Sequence, residues 1–542
     1  MDARGNVTRK RLLAIGLLGL AAAGAPIAAQ AQAGASRARI AEDEVVYQIF
    51  VRSFRDGNGD RIGDLRGIQE SLGYLHDLGI TSLLLTPINP SPAYHNYFAS
   101  NFWGVDSTFG DMAAFHSLVE AVHARGMKIY LDREDQYATG DNPWFKESLG
   151  HPDSRYSHYV LYKDSTNAVP EPIIFGLTAL PSWDGTMIPV ATVNLLEPGV
   201  QHDLDSLYVS LVDPGHDRRF ADGVDGFRLD HMMDDLDGSP KLPHLFADFW
   251  APLFARVRAV NPRVRLIAEQ SDWGYGEDWL TRGGADMVFA FGLQRAIASF
   301  NRDSLAQVIL ATLAHTPRGK GQLVFIENHD MDRFASRVDG DLRREKVGAA
   351  LDVLLEGTPL IYYGQEIGMK GKQSHAALND GNDIPDREAM RWTRRLEDPG
   401  SAIWYKGPGP WWTERYNRDS DGVSVEEETH DPASLLSFYR RLLAVRRSRP
   451  EIVAGDERVV ATDRPSVLAV VRSTPAAASL ILVNLADSAV TASVARDVLP
   501  ATLAASRLTD LLTGAAEPAP AGARRVRLPA FGVKLLARRP HH

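Results

Sequence analysis

Eight short apolar runs recur along the chain: Val45 to Phe50, Ser82 to Thr86, Lys128 to Leu131, Val224 to Asp230, Arg265 to Glu269, Met287 to Phe291, Leu323 to Asp330 and Leu360 to Tyr363. Each is rich in branched or aromatic residues, as strands covered on both faces should be. Between them, segments such as Met112 to Arg125 and Leu342 to Leu355 have the amphipathic spacing and length of the crossover helices that parallel strands require. The pattern predicts an α/β chain built on a (β/α)8 TIM barrel. From about Tyr137 to His202 the rhythm breaks into Pro, Gly and aromatics over a span far longer than an ordinary βα loop. An amphipathic helix is expected over Pro432 to Arg446. Beyond Glu457, alternating runs at Ser466 to Arg472, Ser479 to Asn484 and Val526 to Leu528 predict a small antiparallel β-sandwich.

Three of the eight runs end in carboxylates. In Val224-Asp225-Gly226-Phe227-Arg228-Leu229-Asp230 the arginine and the aspartate are two apart, so on a strand they point the same way. A cation beside an Asp favours its ionised form, and an ionised carboxylate in a cleft can act as a nucleophile. Arg265 to Glu269 and Leu323 to Asp330 repeat the arrangement at wide spacing. Since a (β/α)8 barrel builds its active site from the C-terminal ends of its strands, the three ends predict one shared site.

Taken together, Gly226-Phe-Arg-Leu-Asp230, Ala268-Glu269 and Glu327-Asn-His-Asp330 resemble the motifs of the α-amylase superfamily of retaining α-glycoside hydrolases and transglycosidases. The likeness runs from about Glu44 to the C-terminal domain and implies roles. Asp230 would be the nucleophile with Arg228 as its fixed partner, Glu269 the general acid/base, Asp330 the stabiliser of the transition state, and His329 a sugar ligand. The chemistry supplies its own reason for these residue types. Retention at an anomeric carbon needs one carboxylate to attack and another to protonate the leaving oxygen and later activate water, the pair lying roughly 5 to 5.5 Å apart. Arg228 is expected to keep Asp230 charged while a carboxylate-crowded setting keeps Glu269 protonated.

The resemblance also implies domains: the barrel in residues 42–136 and 206–450, an inserted B domain after strand three in 137–205, and a C-terminal β domain in 455–540. Ala93-Tyr-His-Asn-Tyr-Phe98 resembles the loop that supplies a stacking tyrosine and a histidine to the sugar, making Tyr97 and His95 candidate contacts. Asn96 stands where the family has glycine. After Asp132, Gln136-Tyr137 replaces the usual Asn-His pair. This unsettles the family's interdomain calcium site, leaves Tyr137 as a candidate substrate contact, and argues for altered specificity.

A separate metal signal lies in Asp56-Gly-Asn58-Gly-Asp60-Arg-Ile62-Gly-Asp64. Acidic and amide side chains on alternating positions, with glycines in the turn, are how a short loop offers oxygens to a hard cation. The loop resembles that of the oligo-1,6-glucosidase branch. It implies a structural Ca2+ held by Asp56, Asn58, Asp60, the Ile62 carbonyl and Asp64, with Mg2+ as the alternative ion.

Composition adds limits. A formal charge of -10 over 542 residues, without a basic stripe or phosphate-cradling loop, argues against nucleic acid as a partner. Cysteine is absent, which excludes disulfides and a thiol nucleophile. Arg4, Arg9, Lys10 and Arg11, then the apolar Leu12 to Ala23, then Ala-Gln-Ala sites, read as an export signal over residues 1–33. The expectation is a secreted or periplasmic monomer, free of the membrane after cleavage, that hydrolyses α-linked glucose oligo- or polysaccharides. An α-glucan transglycosidase and a non-catalytic sugar-binding homologue are the alternative readings.

Overall fold

A computed structural model describes residues 43–374, 379–407 and 409–539. The export signal read in residues 1–33 lies outside them. In chain order the first eleven strands are β1 (Val46–Ile49), β2 (Ser82–Leu85), β3 (Lys128–Arg133), β4 (Tyr137–Thr139), β5 (Ala179–Pro181), β6 (Met187–Thr192), β7 (Gly226–Met232), β8 (Arg265–Gln270), β9 (Met287–Phe289), β10 (Gly321–Val324) and β11 (Thr358–Tyr362). Eight of them close a barrel in the order β1-β11-β10-β9-β8-β7-β3-β2. Every pairing in it is parallel. All eight expected apolar runs supply a barrel strand, and the predicted crossovers form the helices Met112–His123 and Leu342–Leu354.

Alternation along each strand sorts its side chains into two cores. Val46, Leu84, Tyr130, Ile267, Met287, Phe289, Leu323 and Leu360 pack together as one cluster inside the barrel. Their sequence neighbours Tyr47, Leu83, Leu85, Ile129, Leu266, Ala268, Val288 and Ile361 face the helical layer. On β7 the same alternation sends Phe227 and Leu229 outward and leaves Arg228 and Asp230 for the interior. Gly226 begins that strand because the neighbouring backbone is close: a Cβ there would stand 1.9 Å from the carbonyl oxygen of Arg265 on β8.

The long segment after β3 carries its own small antiparallel sheet, in the order β4-β6-β5. The helix Pro198–Val212, which includes residue 205, then packs against the helix Ala251–Val260 in the outer layer. After β11 and the helix Leu435–Ser448, the C-terminal domain adds eight strands. They are β12 (Asp456–Val460), β13 (Val467–Ser473), β14 (Ala478–Asn484), β15 (Val490–Val494), β16 (Leu508–Asp510), β17 (Ala516–Glu517), β18 (Arg524–Leu528) and β19 (Val533–Ala537). They form an antiparallel six-stranded sheet, β12-β13-β14-β19-β16-β17, and a β15-β18 pair. Leu480, Leu482 and Leu536 of the large sheet pack with Ala492, Val494, Val526 and Leu528 of the pair, which makes the sandwich. No helix among the described residues is long and apolar enough to cross a membrane.

Candidate active site

The C-terminal ends of β3, β7 and β8 bring three carboxylates onto one guanidinium. Arg228 has no exposed surface. Its Nη1 donates to Asp132 at 2.8 Å and to Asp230, and its Nη2 lies 2.8 Å from Glu269 Oε2. A β-bulge between Leu229 and Met232 breaks the register with β8. There His231 takes a left-handed φ of 47° and its backbone N–H donates to Glu269 Oε2 at 3.1 Å. Bulges beside active sites re-aim side chains, and this one turns the end of β7 towards the acid on β8. Oxygens of Asp230 and Glu269 lie within 4.8 Å of each other and of a ring nitrogen of His231.

The third predicted carboxylate arrives differently. β10 ends at Val324, so Glu327 to Asp330 belong to the turn beyond it. Glu327 is turned inward, paired with Arg333 at 2.9 Å, and anchors that turn. His329 is fixed by a chain of hydrogen bonds. The Gln48 amide donates to its Nδ1 at 3.0 Å, so Nε2 carries the proton and faces the Tyr97 hydroxyl at 2.7 Å and Asp330 Oδ2 at 3.1 Å. Tyr97 donates onward to Asp132 at 2.8 Å, and its ring stacks on that of His329 with centroids 5.7 Å apart. Burial, followed by the charges of Arg228 and Arg387, holds the His329 pKa well below the usual histidine value, which keeps the ring neutral. Asp330 is the open member: its side chain is 42 % exposed, against 15 % and 13 % for Asp230 and Glu269.

Tyr97, Asp230, Glu269 and Asp330 line a cleft of 490 Å³ together with His95, Phe98, Glu134, Tyr137, Ile174, His231, Met233, Ser271, Trp273, Asp383 and Arg387. A larger recess of 810 Å³ lies at the opposite end of the strands. Its carboxylates Asp225 and Asp286 are tied to His123 at 2.8 Å and Arg258 at 3.0 Å, and the chemistry of this fold resides at the other face.

The electrostatics differ from the simple expectation for the pair. Arg228 serves Asp132, Asp230 and Glu269 at once, so it does not distinguish nucleophile from acid. Burial dominates and lifts both carboxyls, Asp230 to about 6 and Glu269 to about 7, with Arg228 opposing the rise in each. Asp230 remains the stronger acid of the two, in the expected order, but the gap is narrow. Glu134 adds a further buried carboxyl whose pKa stands well above the usual value through burial and the nearby Asp230.

Tyr97, His95 and Tyr137 all reach the cleft wall. His95 Nδ1 accepts the Tyr97 N–H at 3.2 Å, which leaves Nε2 towards Asp380 at 3.6 Å. Tyr137 donates its hydroxyl to Asp237 at 2.8 Å, so its ring is what it offers. Asn96 has φ 62°, which explains how Asn replaces glycine: its amide bonds Asn89 O and Asp106, and Asn tolerates the left-handed region. Gln136 is fully buried and does not line the cleft. Its amide donates to the carbonyls of Asp230 and His231, and its oxygen accepts the Asp135 N–H at 2.8 Å. It holds the bulged end of β7.

The acidic loop lies apart from the cleft. Asp56, Asn58 and Asp60 accept N–H groups of the loop itself, and Asp64 caps the helix Leu65–Glu70. Asp64 is raised by burial and, to a lesser degree, by Asp56 and Asp60. The Arg61 side chain turns outward to the carbonyls of Asp398 and Glu397 at 3.0 and 3.1 Å, so its charge leaves the ring of oxygens.

Sequence reasoning missed Arg387, which donates to Asp330 Oδ1 at 2.9 Å, His329 O at 2.8 Å and the Tyr94 hydroxyl at 2.8 Å. It sits in Asp386-Arg387-Glu388 after β11, and only the folded loop shows which carboxylate it meets. Glu134 and Trp273 were missed as well, because nothing in their local sequence marks them as facing the cleft.

A (β/α)8 barrel with two closely spaced carboxylates on a shared arginine, and a third beside a neutral histidine, defines a glycosidase-type active site. The chain belongs to the α-amylase family: the model for the alpha amylase catalytic domain matches residues 48–455. It is 27 % identical over 445 residues to alpha-amylase 3 of Dictyoglomus thermophilum, covering 79 % of this chain and 82 % of that one. It is 30 % identical over 489 residues to the trehalose synthase/amylase of Mycobacterium tuberculosis, covering 79 % and 78 %. The crystal structure of the α-amylase from H. orenii superposes with a TM-score of 0.75 at 25 % identity, covering 92 % of this chain and all of that one. The protein is therefore an α-amylase-family glycosidase.

Proposed function

We propose that the enzyme cleaves α-linked glucose oligosaccharides by double displacement with retention. The observation that carries this reading is that Asp230 and Glu269 are both held on Arg228 and bring an oxygen each within 4.8 Å of the other. Retaining pairs stand roughly 5 to 5.5 Å apart, whereas inverting pairs need roughly 6.5 to 9.5 Å to admit a water. Asp230 attacks the anomeric carbon as its bond to the leaving oxygen breaks, and Glu269 gives that oxygen its proton. Glu269 then takes a proton from water, the water oxygen bonds to the anomeric carbon, and the ester to Asp230 breaks. Asp330, exposed to the cleft and oriented by Arg387 and His329, hydrogen-bonds sugar hydroxyls as the oxocarbenium ion develops. A sugar hydroxyl in place of water would give transfer, an outcome in keeping with the relatives named for 4-alpha-glucanotransferase and trehalose synthase activity.

Proton NMR of the protein with maltose-, isomaltose- and sucrose-type oligosaccharides tests the reading. The first product should be the α-anomer; a β-anomer would replace retention with inversion, and saturable binding without turnover would favour a sugar-binding homologue.

The Asp56–Asp64 loop offers a hard cation three carboxylates, an amide and a backbone carbonyl within nine residues; these side-chain oxygens accept N–H groups in this structure, and a divalent ion would relieve the repulsion among the acids. When bound, Ca2+ would brace this loop against the Glu397 to Gly400 segment that Arg61 and Asp56 already touch. Chelation of the native protein is expected to lower Tm by roughly 3–5 °C, restored by Ca2+. An unchanged Tm, with no bound metal by elemental analysis, would remove the ion. Export to the periplasm or beyond, proposed from the basic, apolar and small-residue order of the first 33 residues, is consistent with an extracellular sugar as substrate.

A further inference from the structure

The 810 Å³ recess at the N-terminal ends of the barrel strands is lined by Lys128, Arg219, Arg258, Arg263 and Arg265 together with His123, against two carboxylates, Asp225 and Asp286. Lys128 opens β3 and Arg265 opens β8, while Asp225 and Asp286 stand one residue ahead of β7 and β9. Five cations facing two acids leave a surplus of three positive charges, on a chain whose formal charge is -10. Both acids are committed to the fold. Asp225 Oδ2 accepts the Ile129 N–H at 2.9 Å and meets His123 Nε2 at 2.8 Å. Asp286 Oδ2 accepts the Leu266 N–H at 2.9 Å, and its Oδ1 accepts from Arg258 at 3.0 Å. Each acid staples the start of one strand to its neighbour in the barrel, so neither is free to neutralise the rest of the lining.

The other cations have weaker ties. Arg263 lays its guanidinium over the Phe220 ring, 5.7 Å from the centroid. Phe220 stands at φ 56°, and His216 and Arg218 of the same loop at 51° and 59°, a backbone region that side chains of this size occupy only at a cost. Arg219 lies 3.3 Å from Asp217 and Lys128 lies 4.0 Å from Glu44, both acids outside the lining. Solvent-exposed pairs of this kind contribute little and exchange readily. The crowding is felt by Lys320, which shares Asp286 with Arg258 at 3.8 Å. Burial holds the Lys320 pKa below the usual lysine value, and the charges of Arg258 and Arg265 push the same way against Asp286. Cations gathered this closely are stabilised by an anion, and guanidinium forks pair with phosphate or carboxylate oxygens two at a time.

We propose that this recess binds a small organic anion carrying two or more phosphate or carboxylate groups, at a site separated from the catalytic cleft by the length of the barrel strands. The cations are gathered into one hollow, not strung along a surface, which suits a compact ligand over a polymer, and the volume falls in the range of small-molecule sites. The half-buried Arg258 and Arg265 receive one charged group and the exposed Arg219 and Arg263 another, with Phe220 against the carbon skeleton between them. This binding is independent of what the cleft catalyses.

Isothermal titration of the whole protein with pyrophosphate, citrate and fructose 1,6-bisphosphate, at matched ionic strength, should show saturable one-to-one binding of at least one of them. Arg219→Ser combined with Arg263→Ser should weaken that binding roughly tenfold or more, through the loss of two charge-assisted contacts. Arg525→Ser combined with Arg527→Ser, which removes the same charge from exposed positions on β18, should change it by less than about twofold, since distant surface charges are screened. Preference for the bisphosphate over pyrophosphate supports an organic phosphate packed on Phe220, preference for pyrophosphate an inorganic polyphosphate, and preference for citrate a carboxylate ligand. Circular dichroism checks the fold of each variant; if the recess pair does not fold, Arg263→Gln alone carries the comparison and should weaken binding about threefold or more. No saturable binding of any probe, an affinity unchanged in the recess variant, or equal losses in the two double variants overturns the inference.

Discussion

Asp230→Asn is expected to reduce kcat by about 10⁴-fold or more while leaving the fold intact, because an amide is too weak a nucleophile to form the glycosyl ester. The substitution keeps the volume and a hydrogen-bonding oxygen for Arg228, whose remaining carboxylates Asp132 and Glu269 still satisfy it. Circular dichroism and Tm should therefore move little. A sharper discrimination comes from Asp230→Ala with azide and an activated substrate. Azide should enter from the face Asp230 vacated and yield a glycosyl azide of inverted configuration. Activity within tenfold of wild type in the Asn variant would assign the nucleophile elsewhere.

Glu269→Gln should produce the second-largest effect, about 10² to 10⁴-fold on natural oligosaccharides, with a much smaller loss on α-glucosyl fluoride, which leaves without a proton. The pH profile gives a separate readout. Catalysis needs Asp230 ionised, so kcat/KM should rise as pH passes upward through about 6. It also needs Glu269 protonated, so the rate should fall as pH passes through about 7. The apparent values belong to the interacting pair, and the result is a narrow bell with its maximum between them. In the Gln variant the falling limb should disappear, since nothing remains to be deprotonated at the acid position. A Gln variant that keeps the falling limb would place the general acid on another residue. Glu134, buried in the same wall, is the first to examine.

Much of this was readable in one dimension. Period-two alternation on β7 and β8 decides which side chains enter the barrel, so Arg228, Asp230 and Glu269 could be placed on one inner surface from sequence spacing. Buried parallel strands announce themselves as unbroken apolar runs, and all eight were found. The turn after β10 was harder to read. The apolar run continues through Phe325 and Ile326, yet the strand stops at Val324 and Glu327 folds back onto Arg333. Such a reversal depends on partners several residues away.

Hydrophobic patterning and motif spacing thus determined the barrel, its C-terminal sandwich and the strand ends at which Asp230 and Glu269 meet, because each is a short-range property of the chain. Tertiary structure alone decided how charge is shared and what the cleft presents. Burial lifts Asp230 and Glu269 together and the one arginine that opposes the rise serves both, so the acidity gap is narrower than an Arg-Asp pair by itself would give. Gln136 became a brace for the bulged end of β7, Arg387 became the partner of Asp330, and Trp273 was left facing the cleft. These outcomes depend on distances between segments more than 250 residues apart, as with Arg387 and Glu134, which line the same cavity. Electrostatic and packing energies fall off over a few ångströms of space, whatever the separation along the chain.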